Sequence, residues 1–342
     1  MRPLKLVGGY GSPYSRKMRA VLRYRRIEFR WIMRGSSAEV GIPAVGVALI
    51  PVLVINGENG APDEAMIDST FQIKRLEALV AERSIFPPDP ALAFLHAMLE
   101  DYGDEWLTKP MFHYRWKYPA DIHKASHVLA LDRDLHLSAE RLAKASAFFA
   151  ERQIARLGVV GSNDVTTPVI EDSYRRILHL LDEHLKSGNY FLMGSRPGAG
   201  DFGIFGQLSQ LAHFDPTPAA IAALEAPRVV SWVSHMDDLS ALEPGAWTSR
   251  DNLAPTLRSF FAEIGRVYAP FLIANARALQ SRADRVTCEI DARPWTQQPF
   301  AYQGKCLKWL REGRAALSAG DRSFVDSYLD GTGADAIFSA RL

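Results

Sequence analysis

Residues 4–24, LKLVGGYGSPYSRKMRAVLRY, decide how this chain is read. Leu4 to Val7 is a short apolar run closed by Gly8 and Gly9, which marks a buried strand ending in a tight loop. Ser12-Pro13 then gives a helix start, a serine that can cap and a proline suited to the first helical position. Beyond it Met18, Val21 and Leu22 recur at helical spacing. A strand, a glycine-rich loop and a serine-capped helix therefore open the molecule.

Working outward, residues 27–32, IEFRWI, alternate apolar and polar as a second strand would, and residues 36–49 are rich in glycine and alanine and carry no clear period. Ile50-Pro51 heads the run VLVI, a third strand whose proline belongs at a strand start or a bend. Asn56-Gly57 predicts the turn after it. Residues 65–67 form a short fourth strand, and Asp68-Ser69 is a cap for a helix over residues 70–83. The order βαβ, irregular segment, ββα defines a small α/β domain over residues 1–84, punctuated by Pro87, Pro88 and Pro90.

Residues 90–244 read as helix after helix, with breaks near Pro119, Ser138, Gly158, Gly188 and Pro216. A third, accessory unit occupies residues 245–342. It is expected to hold a long helix over 253–279, a hairpin from 286 to 295, a helix over 300–317 and a final aspartate-capped helix over 323–329. Phe260, Tyr268, Phe271, Trp295, Tyr302 and Trp309 make this unit too aromatic for a disordered tail, so it is expected to dock on the helical domain, over a substrate pocket or a subunit face.

Composition narrows the function. With 40 basic and 39 acidic residues among 342, the net charge of +1 argues against nucleic acid as the main partner. The charge is uneven: Arg2, Lys5, Arg16, Lys17, Arg19, Arg23, Arg25, Arg26, Arg30 and Arg34 cluster against the single acid Glu28, as a solvated face or as a positive field for a small anion. Two cysteines, Cys288 and Cys306, are too few for a disulfide framework, and no histidine pair has metal-site spacing. No segment reaches ~18 uninterrupted apolar residues and no signal peptide opens the chain, so a cytoplasmic protein without a membrane partner is expected.

GSPYSRKMRAVL resembles the helix start of serine-type bacterial glutathione transferases, where the place of Ser12 holds the catalytic residue. The resemblance runs from about residue 4 to residue 242 and implies a thioredoxin-like N-terminal domain, an all-α glutathione-transferase C-terminal domain and an additional, mainly helical extension. It implies catalytic use of Ser12, with Tyr10, Tyr14 and Ser15 as alternative hydroxyl donors. It implies a cis Pro51 whose preceding residue, Ile50, pairs through its backbone with the cysteinyl part of glutathione, and a γ-glutamyl site at Asp68 and Ser69. In the stretch around GSRPGAGDFGIF, Asp201 matches the family's buried helix-start acid, but Gly198 stands where serine or threonine is expected.

Both positions that are cysteine in a glutaredoxin are serine here, which excludes dithiol redox chemistry at this motif. Tyr102, Trp106, His113 and Trp116 are candidates either for the pocket of a small hydrophobic electrophile or for interface core. The expected protein is thus a dimeric detoxifying transferase with glutathione as cosubstrate. Its rival is a catalytically silent relative that serves as an interaction module.

Overall fold

The computed structural model describes residues 3–57 and 61–342. Four strands, β1 (Leu4–Gly8), β2 (Phe29–Met33), β3 (Val52–Ile55) and β4 (Glu64–Met66), form one sheet in the order β2-β1-β3-β4. β1 and β2 run parallel, while β3 is antiparallel to β1 and β4 to β3. Two helices, α1 (Pro13–Tyr24) and α2 (Ser69–Leu79), complete the domain. This is the thioredoxin-like arrangement that the resemblance implies.

Strand period 2 divides the side chains between two faces. Leu4, Leu6, Leu53 and Ile55 enter the main core with Met18, Leu22, Ile73 and Leu76 of the two helices. Val7, Ile32, Val52 and Val54 make a second small core, covered by Ile42 and Val45 of the segment whose period was unreadable. That segment holds a single 3-10 turn, Ser37–Glu39. The helix expected to reach residue 83 ends at Leu79, with Val80 already extended and Arg83 in the left-handed region at φ 51°. Arg2 and the residues after the Asn56-Gly57 turn lie outside the described set.

The helical domain follows: α3 (Pro90–Glu105), α4 (Thr108–Lys117), α5 (Pro119–Leu131), α6 (Ala139–Ile154), α7 (Leu157–Val160), α8 (Thr167–Lys186), α9 (Ala199–Leu211), α10 (Pro216–Glu225) and α11 (Pro227–Met236). α9 is buried along its whole length and packs between α1 and α3. Among the described residues, no helix is long and apolar enough to cross a membrane.

In the last unit, α12 (Leu257–Glu263) and α13 (Ala269–Ser281) form one rod joined by a π-helical turn over Ile264–Tyr268. Gly265 sits in that turn because a Cβ there would lie 2.1 Å from the Thr332 carbonyl oxygen. The strands β5 (Val286–Ile290) and β6 (Arg293–Gln297) pair through a two-residue turn, Asp291 and Ala292 both having positive φ, as such hairpins require. α14 (Ala301–Ala316), α15 (Ala319–Leu329) and α16 (Ala336–Ser339) end the chain. The cap of α15 is Ser318, which accepts from the Asp321 amide, so this helix starts four residues earlier than expected.

This unit shares one core with the rest of the protein. Trp295 and Phe271 pack on Trp106 with ring centroids 5.4 and 6.2 Å apart, and Tyr268 packs on Tyr102 at 6.2 Å. Polar contacts fix the register: Tyr268 donates to Asp101 (2.6 Å), Gln303 to the Glu105 carbonyl (3.0 Å), Arg176 pairs with Glu263 (2.8 Å) and Arg250 with Asp89 (2.7 Å). The extension therefore covers α3 and α8, and it also reaches the first domain, where Trp309 meets Phe71 of α2 edge-on at 5.2 Å. A chain truncated after Gly245 would expose the faces of Tyr102 and Trp106, both fully buried here. We expect that truncation to aggregate or to lose cooperative unfolding, checked by size-exclusion chromatography and a thermal melt; a soluble, sharply melting product would refute integral docking.

Candidate functional site

β1 delivers the chain into the loop Gly9-Tyr10-Gly11 and then to Ser12, the N-cap of α1 at φ −94° and ψ 118°. The Ser12 hydroxyl oxygen accepts the Ser15 amide at 3.2 Å. Ser15 is buried, and its Oγ accepts the Gly9 amide at 3.4 Å. Gly8 must be glycine, since a Cβ would lie 2.5 Å from that oxygen and 2.7 Å from the Trp31 ring. Tyr14 turns into the helical domain, where its hydroxyl donates to the Asp104 carbonyl at 2.9 Å; burial, then Glu105 and Asp104, push its pKa well up. The candidate hydroxyls thus occupy different settings: Ser12 and Tyr14 are half-buried, Ser15 is buried, and Tyr10 is exposed against Trp31.

Residues that sequence reading missed hold this loop from the helical side. Arg115 of α4 donates to the Gly11 carbonyl at 2.6 Å, and Gln210 of α9 donates to the Tyr10 carbonyl at 3.2 Å. Arg115 is itself fixed by a buried pair with Asp215 at 2.9 Å. A lone arginine in a helix gives no sequence signal for such a contact.

The Ile50–Pro51 peptide bond is cis, and the Ile50 side chain lies beside Gly9. Gln72 of α2 donates to the Pro51 carbonyl at 2.8 Å. At the start of α2, Asp68 has φ 76° and accepts the Thr70 amide at 3.1 Å. Its other carboxylate oxygen accepts the hydroxyl of Tyr302 from α14. Ser69 is buried; its hydroxyl accepts from Lys17 at 3.3 Å and donates to Asp104 at 3.2 Å.

Lys17 joins these parts. It is fully buried, pairs with Glu100 and with Asp104 (2.6 Å), and holds its charge: burial opposes ionisation, but Asp104 and Glu100 outweigh it and raise its pKa. Most of the remaining N-terminal cations are also paired: Arg16 and Arg23 with Asp237, Arg25 with Glu77, Arg26 with Glu243 and Arg34 with Glu39. Arg19 instead lies over the rings of Tyr10 and Trp31, 5.0 and 4.9 Å from their centroids. The clustered charge is therefore largely neutralised by acids of both domains rather than left as an open field.

Tyr102 and Trp106 lie between α3 and the C-terminal unit, and the Trp106 indole donates to Ser173 at 2.7 Å. His113 is wedged between Ser162 (2.7 Å) and Glu171 (3.1 Å), and Trp116 packs against Phe149 of α6. All four have 2% exposure or less. Tyr102 and Trp106 are placed as interface core, since aromatic side chains of the extension cover α3 on this side, whereas His113 and Trp116 are buried within the helical domain. A cleft of about 400 Å³ elsewhere, between residues 188–195 and Thr248, Asn252 and Ala254, contains none of the expected site residues. Among the described residues, no group of three or more histidine, cysteine or acidic side chains could hold a metal ion.

The departure at Gly198 has a local cause. Asp201 still accepts the amides of Gly198 (2.9 Å) and Leu192 (3.0 Å). A Cβ on Gly198 would fall 2.2 Å from the His96 ring, whose Nδ1 accepts the Gly200 amide at 3.4 Å. Burial lowers the His96 pKa to about 3, so the ring is a neutral acceptor standing in for the missing serine or threonine hydroxyl. Restoring the cap with Gly198→Ser should therefore destabilise the protein by ~1–3 kcal/mol through overpacking. In a His96→Ala background the same change should cost less, and a double-mutant cycle in denaturant measures the coupling.

α3 also carries a row of interior acids. Burial raises Asp101 to about 7 and raises Asp104 as well; Glu100 adds to both, while the Tyr268 hydroxyl opposes the shift at Asp101 and Lys17 opposes it at Asp104. Burial raises Glu105 as well, with Asp101 and Asp104 adding to the shift. An acid with a raised folded pKa stabilises below its unfolded pKa, about 4, and loses that contribution as pH rises to the folded value. Asp101→Asn keeps an acceptor for Tyr268 and cannot ionise. Its stability relative to wild type should rise from about pH 4 to about pH 7 and then level off. Denaturant titrations across that range read this directly, and a flat difference would sink the argument.

The fold and these three motifs define a thioredoxin-like domain joined to a helical domain at a serine-capped helix start. Residues 6–84 match the family model described as glutathione S-transferase, N-terminal domain. No significant match is found among curated protein sequences. Among solved structures, the chain is similar to a glutathione S-transferase of Methylobacterium radiotolerans in complex with glutathione sulfonate, at 19% identity and TM-score 0.41, covering 74% of this chain and 100% of that one. It is also similar to a glutathione transferase family member of Pseudomonas fluorescens with two glutathione bound (14%, TM-score 0.41, 68% and 86% covered). A third is a maleylacetoacetate isomerase of Anaeromyxobacter dehalogenans with bound glutathione (16%, TM-score 0.35, 68% and 90% covered).

Proposed function

We propose that the chain is a glutathione-dependent transferase that activates the thiol for attack on a small apolar or aromatic electrophile. One observation carries this reading: the three motifs are tied into one unit. Lys17, five residues after the Ser12 cap, bonds to Ser69, and Gln72, in the helix that Asp68 caps, bonds to the carbonyl of cis-Pro51. In this reading Asp68 and Ser69 receive the γ-glutamyl end of glutathione, the Ile50 backbone pairs with its cysteinyl part, and the thiol lies at the start of α1.

A free thiol has a pKa of ~8.5, and the thiolate is the nucleophile. Ser12 caps α1 by accepting, so its O–H remains free to donate to a thiolate, and the helix N-terminus adds to the stabilisation. The Tyr14 O–H is already engaged with Asp104, and Ser15 is buried, which supports Ser12 over both. A two-unit fall in thiol pKa corresponds to ~2.7 kcal/mol, within reach of one charge-assisted hydrogen bond and a helix terminus.

A second reading, a catalytically silent glutathione-binding or interaction protein, is favoured by the burial of Tyr102, Trp106, His113 and Trp116, which leaves the electrophile without the lining expected for it. Titration separates the two. Glutathione at ~100 Kd should stabilise the protein by ~2.7 kcal/mol, read as a thermal shift. Ser12→Gly should keep most of the capping, since glycine costs only a few tenths of a kcal/mol there, yet raise the pKa of the bound thiol, read from ultraviolet thiolate absorbance. No thermal shift at millimolar ligand contradicts the transferase reading and favours the silent interaction protein. Binding with a thiol pKa indifferent to Ser12→Gly contradicts the role of Ser12.

A further inference from the structure

We propose that Tyr302, on α14 of the C-terminal extension, is a ligand-positioning residue of the site, forming with Asp68 a paired receptor for the α-ammonium group of a γ-glutamyl ligand. This inference rests on the reading of Asp68 and Ser69 as the γ-glutamyl site.

The chemistry follows from how Asp68 is used. One carboxylate oxygen accepts the Thr70 amide at 3.1 Å and the other accepts the Tyr302 hydroxyl. Each oxygen of a carboxylate offers about two acceptor positions, so both keep capacity for an incoming N–H. Tyr302 stays protonated, because burial and then the Asp68 carboxylate push its pKa far up. Its single proton is committed to Asp68, and the phenolic oxygen can only accept from a ligand. An ammonium, with three donors and no acceptor, matches a carboxylate and a phenol oxygen held side by side. A ligand carboxylate in the same spot would meet only acceptors.

Packing sets where the hydroxyl stands. The Tyr302 ring meets Trp309 edge-on at 5.8 Å and lies 6.4 Å from Phe300, and Trp309 in turn meets Phe71 of α2 at 5.2 Å. This aromatic chain links α14 to the helix that Asp68 caps. On the other side Ser69 is held by Lys17 and Asp104, and the Thr70 hydroxyl donates to Glu100 at 2.7 Å, so the first turn of α2 is fixed from beneath. Asp68 and Tyr302 lie 234 positions apart in the chain and are brought together by the docking of the extension.

The test is calorimetric titration of the full-length protein with glutathione and with glutaryl-Cys-Gly, which lacks only the α-amino group. Wild type should prefer glutathione. Tyr302→Phe retains the ring contacts and should fold; it should bind glutathione about tenfold more weakly, the scale of one hydrogen bond to a charged group. Its affinity for glutaryl-Cys-Gly should be unchanged, so the preference shrinks by the same factor. Equal loss for both ligands, or no loss for either, overturns the role of Tyr302 while leaving glutathione binding intact. Wild type binding neither ligand overturns the functional reading itself, and this inference with it.

Discussion

The ammonium of Lys17 is the point on which the architecture turns. A buried, unpartnered charge costs several kcal/mol, so this residue obliges the surrounding elements to bring it acceptors. Glu100 and Asp104 come from α3 and Ser69 from α2, while Lys17 itself is on α1. Three helices from two domains are thereby fixed around one side chain. Hydrophobic burial supplies most of the driving force for packing α9 between α1 and α3, but it is non-directional. The ion cluster sets how the helices meet, and the start of α2 inherits its position from that constraint.

The cluster has a consequence farther along α3. Glu100 and Asp104 face Lys17, whereas Asp101 and Glu105 meet the extension, so four acids occupy two adjacent turns of one helix. One lysine cannot balance them. The helix tolerates them because the extension offers the Tyr268 hydroxyl to Asp101, and because burial keeps part of the row protonated near neutral pH. Without residues 245–342 Asp101, Glu105 and the adjoining Trp106 would lose their contacts with the extension together. The extension is best understood as a third of one core, not as an appendage to two finished domains.

Much of the first domain was legible in the sequence because its signals are local. The Ser12-Pro13 cap, the period of α1, the apolar runs of β1 and β3, the alternation around β2 and the Asp68 cap each depend on residues within a turn or a strand of one another. The segment between β2 and β3 was not, since its few apolar residues, Ile42 and Val45, follow no period and serve only to cover the far face of the sheet. The substitution of His96 for a capping hydroxyl could not be read either, because the ring arrives from a residue about a hundred positions before Gly198. The same holds for Arg115 at Gly11 and for Tyr302 at Asp68. Local chemistry announces itself in sequence; chemistry assembled by docking does not.

That distinction bears on the site itself. The loop before Ser12 contains two glycines, Gly9 and Gly11, and so has little rigidity of its own. Its geometry is imposed by Arg115 and Gln210, whose donors reach the Gly11 and Tyr10 carbonyls from the helical domain, with Arg115 anchored by Asp215. A nucleophile-stabilising hydroxyl works only if its direction is set before the anion forms, since reorganisation would consume the stabilisation. Here that direction depends on a buried arginine–aspartate pair in α4 and the residue preceding α10. The Asp68 end depends in turn on α14. Each end of the proposed glutathione site is thus a thioredoxin-like element whose position is completed by a different helical unit, so the small α/β domain alone would carry the motifs without their geometry.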